Sequence, residues 1–275
     1  FGTDSLVVLA EGLGRGEHFA TLLKRTEGDQ GRTTIHAFLL DGDGTLLPAP
    51  EPRRRHIEFI GNSLTCGYGV EGAANTDPFL PETENCYYSF ASIIARVFDA
   101  ECTLIAHSGR GVARNYGDRN STSEETMPDR MLRTFDEAPE PLWDFAASPY
   151  RPDLVVINLG SNDFSTRPHP SREEFRAGYL RMLGALREHY GERMPILCVA
   201  PYTHGPAFAY IEELVREAPW PNLGFAALLP GYYAEATDLG AVGHPNRIGQ
   251  RKMAMALIPY VSSLTGWELP ARAVE

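Results

Sequence analysis

Residues 56–69 read HIEFIGNSLTCGYG, and this stretch decides the fold. Its first five residues form a short, largely apolar run that is typical of a buried β-strand. Small and polar residues follow at once, so the strand ends in a tight turn that carries Ser63. A helix would begin directly after the turn, which would expose the serine hydroxyl near a helix N-terminus. The stretch therefore predicts a strand-turn-helix unit with a serine at its apex.

The alternation of strand and helix continues to the end of the chain. Predicted strands are residues 56–60, 103–106, 154–158, 196–200 and 223–227, and predicted helices are residues 87–98, 172–190, 208–216 and 247–264. This order predicts an α/β fold, namely a flavodoxin-like parallel sheet with helices on both faces. In such sheets, functional residues gather at the carboxyl ends of the strands.

The N-terminal part of the chain has a different pattern. Between residues 6 and 40, three short runs rich in β-branched, aromatic and aliphatic residues are separated by glycines, which is typical of β-strands. Residues 48–55, PAPEPRRR, indicate a linker, because proline cannot join a strand ladder and arginine is readily solvated. We therefore predict two units, a β-rich unit over residues 1–50 and an α/β domain over residues 51–275.

Composition excludes several classes of partner. The chain has 275 residues and a formal net charge of −11, so it repels nucleic acid and anionic membranes. No apolar run approaches the ~20 residues of a membrane span. Its four cysteines form no CxxC pattern, which argues against a structural zinc site. No signal-peptide pattern follows Phe1, and the sequence leaves both a secreted and a cytoplasmic location open.

Four short clusters lie at the predicted junctions of strands and helices. They are residues 61–69 (GNSLTCGYG), 108–111 (SGRG), 160–163 (GSND) and 243–246 (GHPN). Each alone has an ordinary explanation: an N-capping serine, a flexible loop, an Asx turn and a surface histidine. Together they bring a serine, a glycine, an asparagine and a histidine to one edge of a parallel sheet.

Acyl transfer requires these parts. The Ser63 hydroxyl is a weak nucleophile at neutral pH and needs a base, here His244, within hydrogen-bond reach. The oxyanion of the tetrahedral intermediate needs preorganised donors, which the Ser63 N–H, the Gly109 N–H and the Asn162 side chain would supply. The sequence therefore predicts a serine esterase with a Ser63–His244 hydrogen bond.

In this order, the clusters resemble those of the SGNH (GDSL-like) hydrolase superfamily, and most closely carbohydrate esterase family 2. Residues 53–72, RRRHIEFIGNSLTCGYGVEG, look like the family's nucleophile block. Residues 104–118, LIAHSGRGVARNYGD, and residues 155–166, VVINLGSNDFST, look like its second and third blocks. Residues 16–31, GEHFATLLKRTEGDQG, are similar to the end of its N-terminal β-sandwich (jelly-roll) domain. The resemblance implies that only the last strands of that domain lie in residues 1–50.

The resemblance also implies a function and a set of site residues. Members of the family deacetylate polysaccharides such as xylan and glucomannan, so we expect an esterase that removes short acyl groups, acetyl above all, from carbohydrate esters. It makes Ser63 the nucleophile, His244 the base, and Ser63, Gly109 and Asn162 the oxyanion hole. It implies no metal and no organic cofactor.

The chain departs from the family near its histidine. Superfamily members commonly carry an aspartate two or three residues before the histidine, where this chain has Ala241 and Val242. We therefore predict that Nδ1 of His244 contacts a main-chain carbonyl within residues 238–242. Asp238, the nearest upstream acid, is the alternative partner.

Two further departures concern the nucleophile loop and the specificity. Asn62 replaces the usual aspartate before the serine, and Gly243 replaces an aromatic residue that the family often carries before the histidine. The loss of that aromatic residue weakens the expectation of a polysaccharide substrate. Two alternatives therefore stay open: an esterase for another small acyl ester, and a non-catalytic carbohydrate-binding relative.

Flat rings pack on the apolar faces of sugars, which suggests candidate substrate contacts. The candidates are Tyr68, Phe164, His204 and Trp220. For each of them, packing in the core is the competing explanation.

Overall fold

The structure is a computed structural model, and it describes residues 5–201, 205–228 and 234–269. Its centre is a five-stranded sheet in which every neighbouring pair of strands is parallel. The strands are β1 (Arg55–Gly61), β2 (Ala100–Ala106), β3 (Leu154–Asn158), β4 (Ile196–Ala200) and β5 (Leu223–Ala227). Their order in space is β2-β1-β3-β4-β5, which is the flavodoxin-like order.

Eight α-helices connect or follow the strands in the described residues. They are α1 (Ser63–Cys66), α2 (Phe90–Val97), α3 (Met127–Arg130), α4 (Ser161–Ser165), α5 (Arg172–Tyr190), α6 (Ala207–Glu217), α7 (Glu235–Asp238) and α8 (Arg247–Thr265). Single 3₁₀ turns occur at Gly28–Gln30, Pro81–Thr83, Cys86–Tyr88 and Ala241–Gly243. The long helices have clear start signals. Ser171 and Glu174 form a capping box on α5, and the Asn246 side chain caps α8.

Two apolar cores cover the two faces of the sheet. Ile57 and Phe59 of β1 point to one face, where α2 and α8 pack on them. Ile60 of β1 points to the other face, which α5 and α6 cover. Because side chains alternate along a strand, β1 contributes apolar side chains to both cores, and it pairs with β2 on one side and β3 on the other. These two cores fix the carboxyl end of β1, where Ser63 begins α1.

The α/β prediction is confirmed. The predicted bounds of β3, β4, β5 and α5 match the observed ones to the residue, and the predicted strand 56–60 lies inside β1. The predicted helix 87–98 is wrong in its first turn, because Asn85 caps a separate 3₁₀ turn and Ser89 then caps α2.

The predicted N-terminal strands are not present as strands. Residues 5–54 form no β-strand in the structure, and most of the apolar side chains in this segment are exposed. A strand exists only where a neighbouring strand completes its hydrogen-bond ladder, and no described residue does so for this segment. The β-sandwich character of residues 1–50 and the division near residue 50 therefore stay predictions.

One part of the N-terminal segment packs firmly against the α/β domain. The Cys86 N–H donates to the Arg25 carbonyl (2.8 Å), and the Glu27 side chain is buried. None of the described helices is long and apolar enough to span a bilayer.

Candidate active site

Ser63 lies at the carboxyl end of β1 as the first residue of α1. The turn is tight, since a Cβ on Gly61 would meet Thr65 Oγ1 at 2.0 Å. Asn62 precedes the helix, and its side-chain oxygen accepts from the Leu64 N–H (3.3 Å). The Ser63 N–H has no acceptor among the described residues and lies at a helix N-terminus, so it is available to an anion.

His244 lies beside Ser63, as predicted. Its Nε2 is 2.9 Å from Ser63 Oγ, and its Nδ1 is 3.2 Å from the Val242 carbonyl oxygen. A carbonyl only accepts, so Nδ1 carries the proton and Nε2 is the free acceptor for the serine hydroxyl. Burial lowers the pKa of His244, and the hydrogen bond to Val242 partly offsets this. The imidazole is therefore neutral and oriented as a base near neutral pH.

The Val242 carbonyl is held in place by a strained backbone. Val242 has φ 54° and ψ 32°, the left-handed region that β-branched residues avoid, at a cost of ~1–3 kcal/mol. Its segment is clamped to residues 69–77 by main-chain hydrogen bonds. These run from Ala241 N–H to Gly69 O (3.0 Å), from Val242 N–H to Asp77 O (2.9 Å) and from Gly243 N–H to Asn75 O (3.0 Å). The clamp keeps the strained residue in the conformation that faces Nδ1.

Asp238 does not support His244, which corrects the alternative prediction. Its carboxylate is buried and accepts from the Ala234 N–H (2.7 Å), the Thr237 hydroxyl (2.9 Å) and the Lys252 ammonium. These partners occupy the carboxylate oxygens within α7 and against α8, so Asp238 anchors the start of the histidine loop.

Gly109, the predicted second main-chain donor, lies in the loop after β2. It follows β2 by three residues and has φ 78°, a conformation that suits glycine. Its N–H has no acceptor among the described residues, whereas its carbonyl accepts from the Tyr116 N–H (2.8 Å). The free N–H is therefore available for an oxyanion at this edge of the sheet.

Asn162 links the second and third clusters. Its Nδ2 donates to the Arg110 carbonyl (2.8 Å), one residue after Gly109. An amide nitrogen carries two N–H groups, so one donor is left for a ligand. The Asn62 side chain in turn donates to Ser161 Oγ (2.9 Å), which ties the nucleophile loop to the same cluster. Asn62 thus holds together two of the loops that would surround an oxyanion.

A buried carboxylate organises the loop after Gly109. Asp163 accepts from the consecutive N–H groups of Val112, Ala113 and Arg114 at 2.7–3.0 Å. Burial raises the pKa of Asp163, and the amide donors oppose this rise because they bind the ionised form best. This anchor fixes the loop relative to Asn162, the preceding residue.

Two family models match this chain and decide its family. The GDSL-like lipase/acylhydrolase family matches residues 59–252, and the carbohydrate esterase 2 N-terminal family matches residues 2–50. The chain belongs to the GDSL-like lipase/acylhydrolase family. The sequence resemblance to this superfamily is thereby confirmed.

Relatives of this GDSL-like protein are carbohydrate esterases. Cellulase/esterase CelE of Acetivibrio thermocellus is 35% identical over 275 residues, which are 96% of this chain and 32% of that protein. An acetylxylan esterase/glucomannan deacetylase of Cellvibrio japonicus is 28% identical over 257 residues, 92% of this chain and 68% of that protein. The chain thus spans about a third of the first relative and about two thirds of the second.

The solved structures agree with the sequence relatives. A family two carbohydrate esterase from Clostridium thermocellum in complex with cellohexaose superposes with a TM-score of 0.75 at 34% identity. The match covers 82% of this chain and 69% of that one. The SGNH hydrolase fold predicted from the sequence is therefore confirmed.

Of the four candidate substrate contacts of this GDSL-like protein, one lies beside the site, two pack in the core and one lies outside the described residues. Tyr68 lies beside the site, with its ring centroid 4.7 Å from that of His244 and stacked on Phe79 at 3.9 Å. Phe164 is 4% exposed and packs against Phe175 in the core, so its prediction as a sugar contact is wrong. Trp220 is wrong as well. It packs against the same core and precedes β5, at the amino edge of the sheet, whereas the site lies at the carboxyl edge. His204 lies outside the described residues.

Three residues near the site were missed in the sequence. Tyr116 is 64% exposed, and its Cβ lies 3.9 Å from the position of a Cβ built on Gly109. Phe79 forms the second ring of the Tyr68 stack. Glu27 comes from the N-terminal segment, and its Oε2 accepts from the Ser108 N–H (2.6 Å). Tyr116 lies inside the quoted block of residues 104–118, and Phe79 lies seven residues after the block of residues 53–72, so their nearness to these blocks is the signal that could have identified them. No pattern in the sequence indicates Glu27.

Among the described residues, one group of side chains could hold a metal ion. Potential ligand atoms of Glu27, Cys66 and Glu84 lie within 4.8 Å of one another, and all three residues are buried. The Ser63–His244 dyad and the predicted oxyanion donors Gly109 and Asn162 belong to no such group among the described residues.

Proposed function

We propose that this protein is a serine esterase that removes short acyl groups, acetyl above all, from carbohydrate esters. The observation that carries the proposal is the oriented base, with Nε2 of His244 2.9 Å from Ser63 Oγ and Nδ1 fixed by the Val242 carbonyl. A base in hydrogen-bond reach of a serine, oriented by a third group, is the arrangement that activates a nucleophile.

In the proposed reaction, Ser63 Oγ attacks the ester carbonyl carbon while His244 Nε2 takes the hydroxyl proton. The oxyanion that forms accepts from the N–H groups of Ser63 and Gly109 and from the second N–H of Asn162. Collapse of the intermediate breaks the bond to the sugar oxygen, which receives the proton from His244. Water then attacks the acyl-serine with the same histidine as base, and the acid and free Ser63 are released.

The relatives support a carbohydrate as the alcohol. The Cellvibrio japonicus protein is named an acetylxylan esterase and glucomannan deacetylase, and the Clostridium thermocellum esterase was solved with cellohexaose. The ring of Tyr68, stacked on Phe79, offers a flat apolar face beside the Ser63–His244 dyad. The exposed ring of Tyr116 offers another beside Gly109. Such rings would hold a sugar, which compensates for the glycine that precedes His244.

Hydrolysis of 4-nitrophenyl acetate tests the reaction, and acetate release from acetylated xylan and glucomannan tests the substrate. We expect Ser63→Ala and His244→Ala to lower kcat on the order of 10⁴-fold or more. The matched control is His189→Ala, since that imidazole stacks on Phe145 at the end of α5, away from the site.

The outcomes separate the alternatives. Hydrolysis of the nitrophenyl ester without acetate release from either polysaccharide would assign an esterase for another small acyl ester. Binding of cello-oligosaccharides without any Ser63-dependent hydrolysis would assign a carbohydrate-binding protein. Activity that survives Ser63→Ala would remove the proposed mechanism.

A further inference from the structure

A cluster of three buried side chains, which includes Cys66 of α1, takes no part in the proposed reaction. Glu27, Cys66 and Glu84 each place one potential ligand atom within 4.8 Å of those of the other two. Glu84 is 0% exposed, and its Oε2 is buried without a hydrogen-bond partner among the described residues. A buried carboxylate oxygen carries a large desolvation cost unless a donor or a cation contacts it. The cluster would therefore be stabilised by a cation.

Two neighbouring cationic side chains do not pair with these carboxylates. Lys24 Nζ donates to the main-chain oxygen of Glu27 (2.9 Å), while Arg25 donates to the main-chain oxygen of Glu84 (3.1 Å) and pairs with Glu71. No described lysine, arginine or histidine forms an ion pair with either carboxylate of the cluster. Two buried carboxylates thus lie close together without a paired cation, and a divalent ion could bind both.

The spacing of the donor atoms fits a zinc ion. Zn²⁺ binds a thiolate sulfur at about 2.3 Å and a carboxylate oxygen at about 2.0–2.2 Å, so these two atoms are roughly 3.5 Å apart in a tetrahedral site. Cys66 Sγ and Glu27 Oε2 are 3.5 Å apart. A thiolate among the ligands favours zinc over magnesium and calcium, which prefer oxygen ligands. The same distance suits an S–H···O hydrogen bond, which is the alternative that the experiment must exclude.

The three side chains come from separate parts of the chain. Glu27 lies in the N-terminal segment, Cys66 ends the helix that Ser63 begins, and Glu84 follows the 3₁₀ turn Pro81–Thr83. Such a site leaves no CxxC pattern in the sequence. The Ser108 N–H donates to Glu27 Oε2 at 2.6 Å, and outer hydrogen bonds of this kind commonly orient metal ligands.

We propose that Glu27, Cys66 and Glu84 bind a structural Zn²⁺ ion. Coordination through both oxygens of Glu84 completes four donors and gives Oε2 a partner. The ion joins the N-terminal segment to the nucleophile helix and to the loop of Glu84. Its role is structural, because His244 lies outside the cluster and no proposed step uses these three side chains. The inference goes beyond the esterase function and does not depend on it.

Cobalt(II) is the spectroscopic probe of the site. Co²⁺ occupies zinc sites, and a thiolate ligand gives it an intense charge-transfer band in the near ultraviolet. The untagged, reduced and metal-free chain is titrated with Co²⁺ and then with an excess of Zn²⁺. We expect the band to saturate at one Co²⁺ per chain and to disappear as Zn²⁺ takes its place. Metal analysis after dialysis against Zn²⁺ should likewise find one ion per chain.

Variants identify the ligands. Cys66→Ser should lose the charge-transfer band. Glu27→Gln and Glu84→Gln should each weaken Co²⁺ binding by more than the ~10- to 100-fold that loss of an outer-shell partner costs. The controls are Cys86→Ser and Glu82→Gln, a neighbouring free thiol and an exposed carboxylate that both lie outside the cluster. Both controls should bind Co²⁺ as the wild type does.

Thermal unfolding gives a second readout that is independent of the spectrum. A ligand that binds only the folded state stabilises it, so free Zn²⁺ at about a hundredfold above its Kd should raise the melting temperature by about 5–10 °C. Mg²⁺ and Ca²⁺ should cause no such rise, and Glu84→Gln should show little response to Zn²⁺. The wild-type spectrum and melting temperature decide the matter even where a ligand variant fails to fold.

Several results would overturn the inference alone. These are a wild type without a thiolate band in Co²⁺, a band that survives Cys66→Ser or is lost in folded Cys86→Ser, or a melting temperature that Zn²⁺ does not raise. Each would leave Cys66 as the donor of a hydrogen bond to Glu27. Absence of Ser63-dependent hydrolysis would instead reject the esterase function, and the metal readouts would be unaffected.

Discussion

The loops that carry Gly109 and His244 meet at the same edge of the sheet, but they are held by opposite means. The Gly109 loop is anchored by buried carboxylates: Asp163 binds three consecutive N–H groups and Glu27 binds the Ser108 N–H. The middle of the His244 loop is anchored by main-chain carbonyls, with the Asp238 carboxylate only at its start, and the group that orients the imidazole at Nδ1 is the Val242 carbonyl.

The difference shows where this chain places its carboxylates. Acidic side chains fix the loop with the oxyanion donor, whereas the base relies on a neutral carbonyl for its orientation. A carbonyl sets the tautomer of the imidazole but stabilises the imidazolium less than a carboxylate would. If the contrast is real, changes to acids near Gly109 should affect catalysis strongly, and changes to the acid nearest His244 should not.

Among the residues that hold the two loops, the largest effect is expected at Asn162, the proposed side-chain donor to the oxyanion. Asn162→Ala removes one donor to the oxyanion and the hydrogen bond to the Arg110 carbonyl, so kcat should fall about 10²- to 10³-fold with little change in KM. Steady-state kinetics on a short acyl ester measure this, with Asn120→Ala on the loop surface as the control. An unchanged kcat would show that Asn162 is only a structural link.

A smaller loss is expected at the carboxylate behind the loop. Asp163→Asn keeps the shape but replaces an acceptor oxygen by an NH₂ group that faces the Val112, Ala113 and Arg114 amides. We expect kcat to fall about 10- to 100-fold and the free energy of unfolding to drop by ~1–3 kcal/mol. Kinetics together with chemical denaturation separate the two effects. A variant with reduced stability and full kcat would show that the loop needs no such anchor for catalysis.

The smallest catalytic effect is expected at Asp238. Asp238→Asn weakens the contact with Lys252 and so should lower the melting temperature, while kcat stays within about tenfold of wild type. Removal of a true triad acid costs ~10⁴-fold. A loss of that size in Asp238→Asn would mean that its carboxylate reaches the imidazole during turnover, and the contrast between the loops would disappear.

The sequence predicted most of the sheet and the central pair of the site. The bounds of the strands at residues 154–158, 196–200 and 223–227 were predicted to the residue. Each is a short apolar run flanked by turn residues, which mark where the strand begins and ends. The Ser63–His244 contact followed from the order of the clusters at strand ends, and the carbonyl at Nδ1 followed from the lack of an acid at Ala241 and Val242.

Other features depend on tertiary packing that the sequence does not display. Phe164 was a candidate sugar contact with core packing as the competing explanation, and on α4 it packs in the core against Phe175 of α5. Glu27 and Asp163 act through main-chain N–H groups, which leave no pattern of side chains to read. The N-terminal runs have strand-like composition, yet composition alone does not supply a neighbouring strand.

The pH dependence of kcat/KM at acid pH tests the contrast most directly, because it reports the pKa of His244 in the free enzyme. Burial without a carboxylate partner lowers the pKa of His244 below its ordinary 6.5. Activity should therefore rise with pH along a limb whose midpoint lies below 6.5, and Asp238→Asn should leave that midpoint in place. A midpoint above 6.5 that moves down in Asp238→Asn would show a carboxylate paired with the base and would contradict the account.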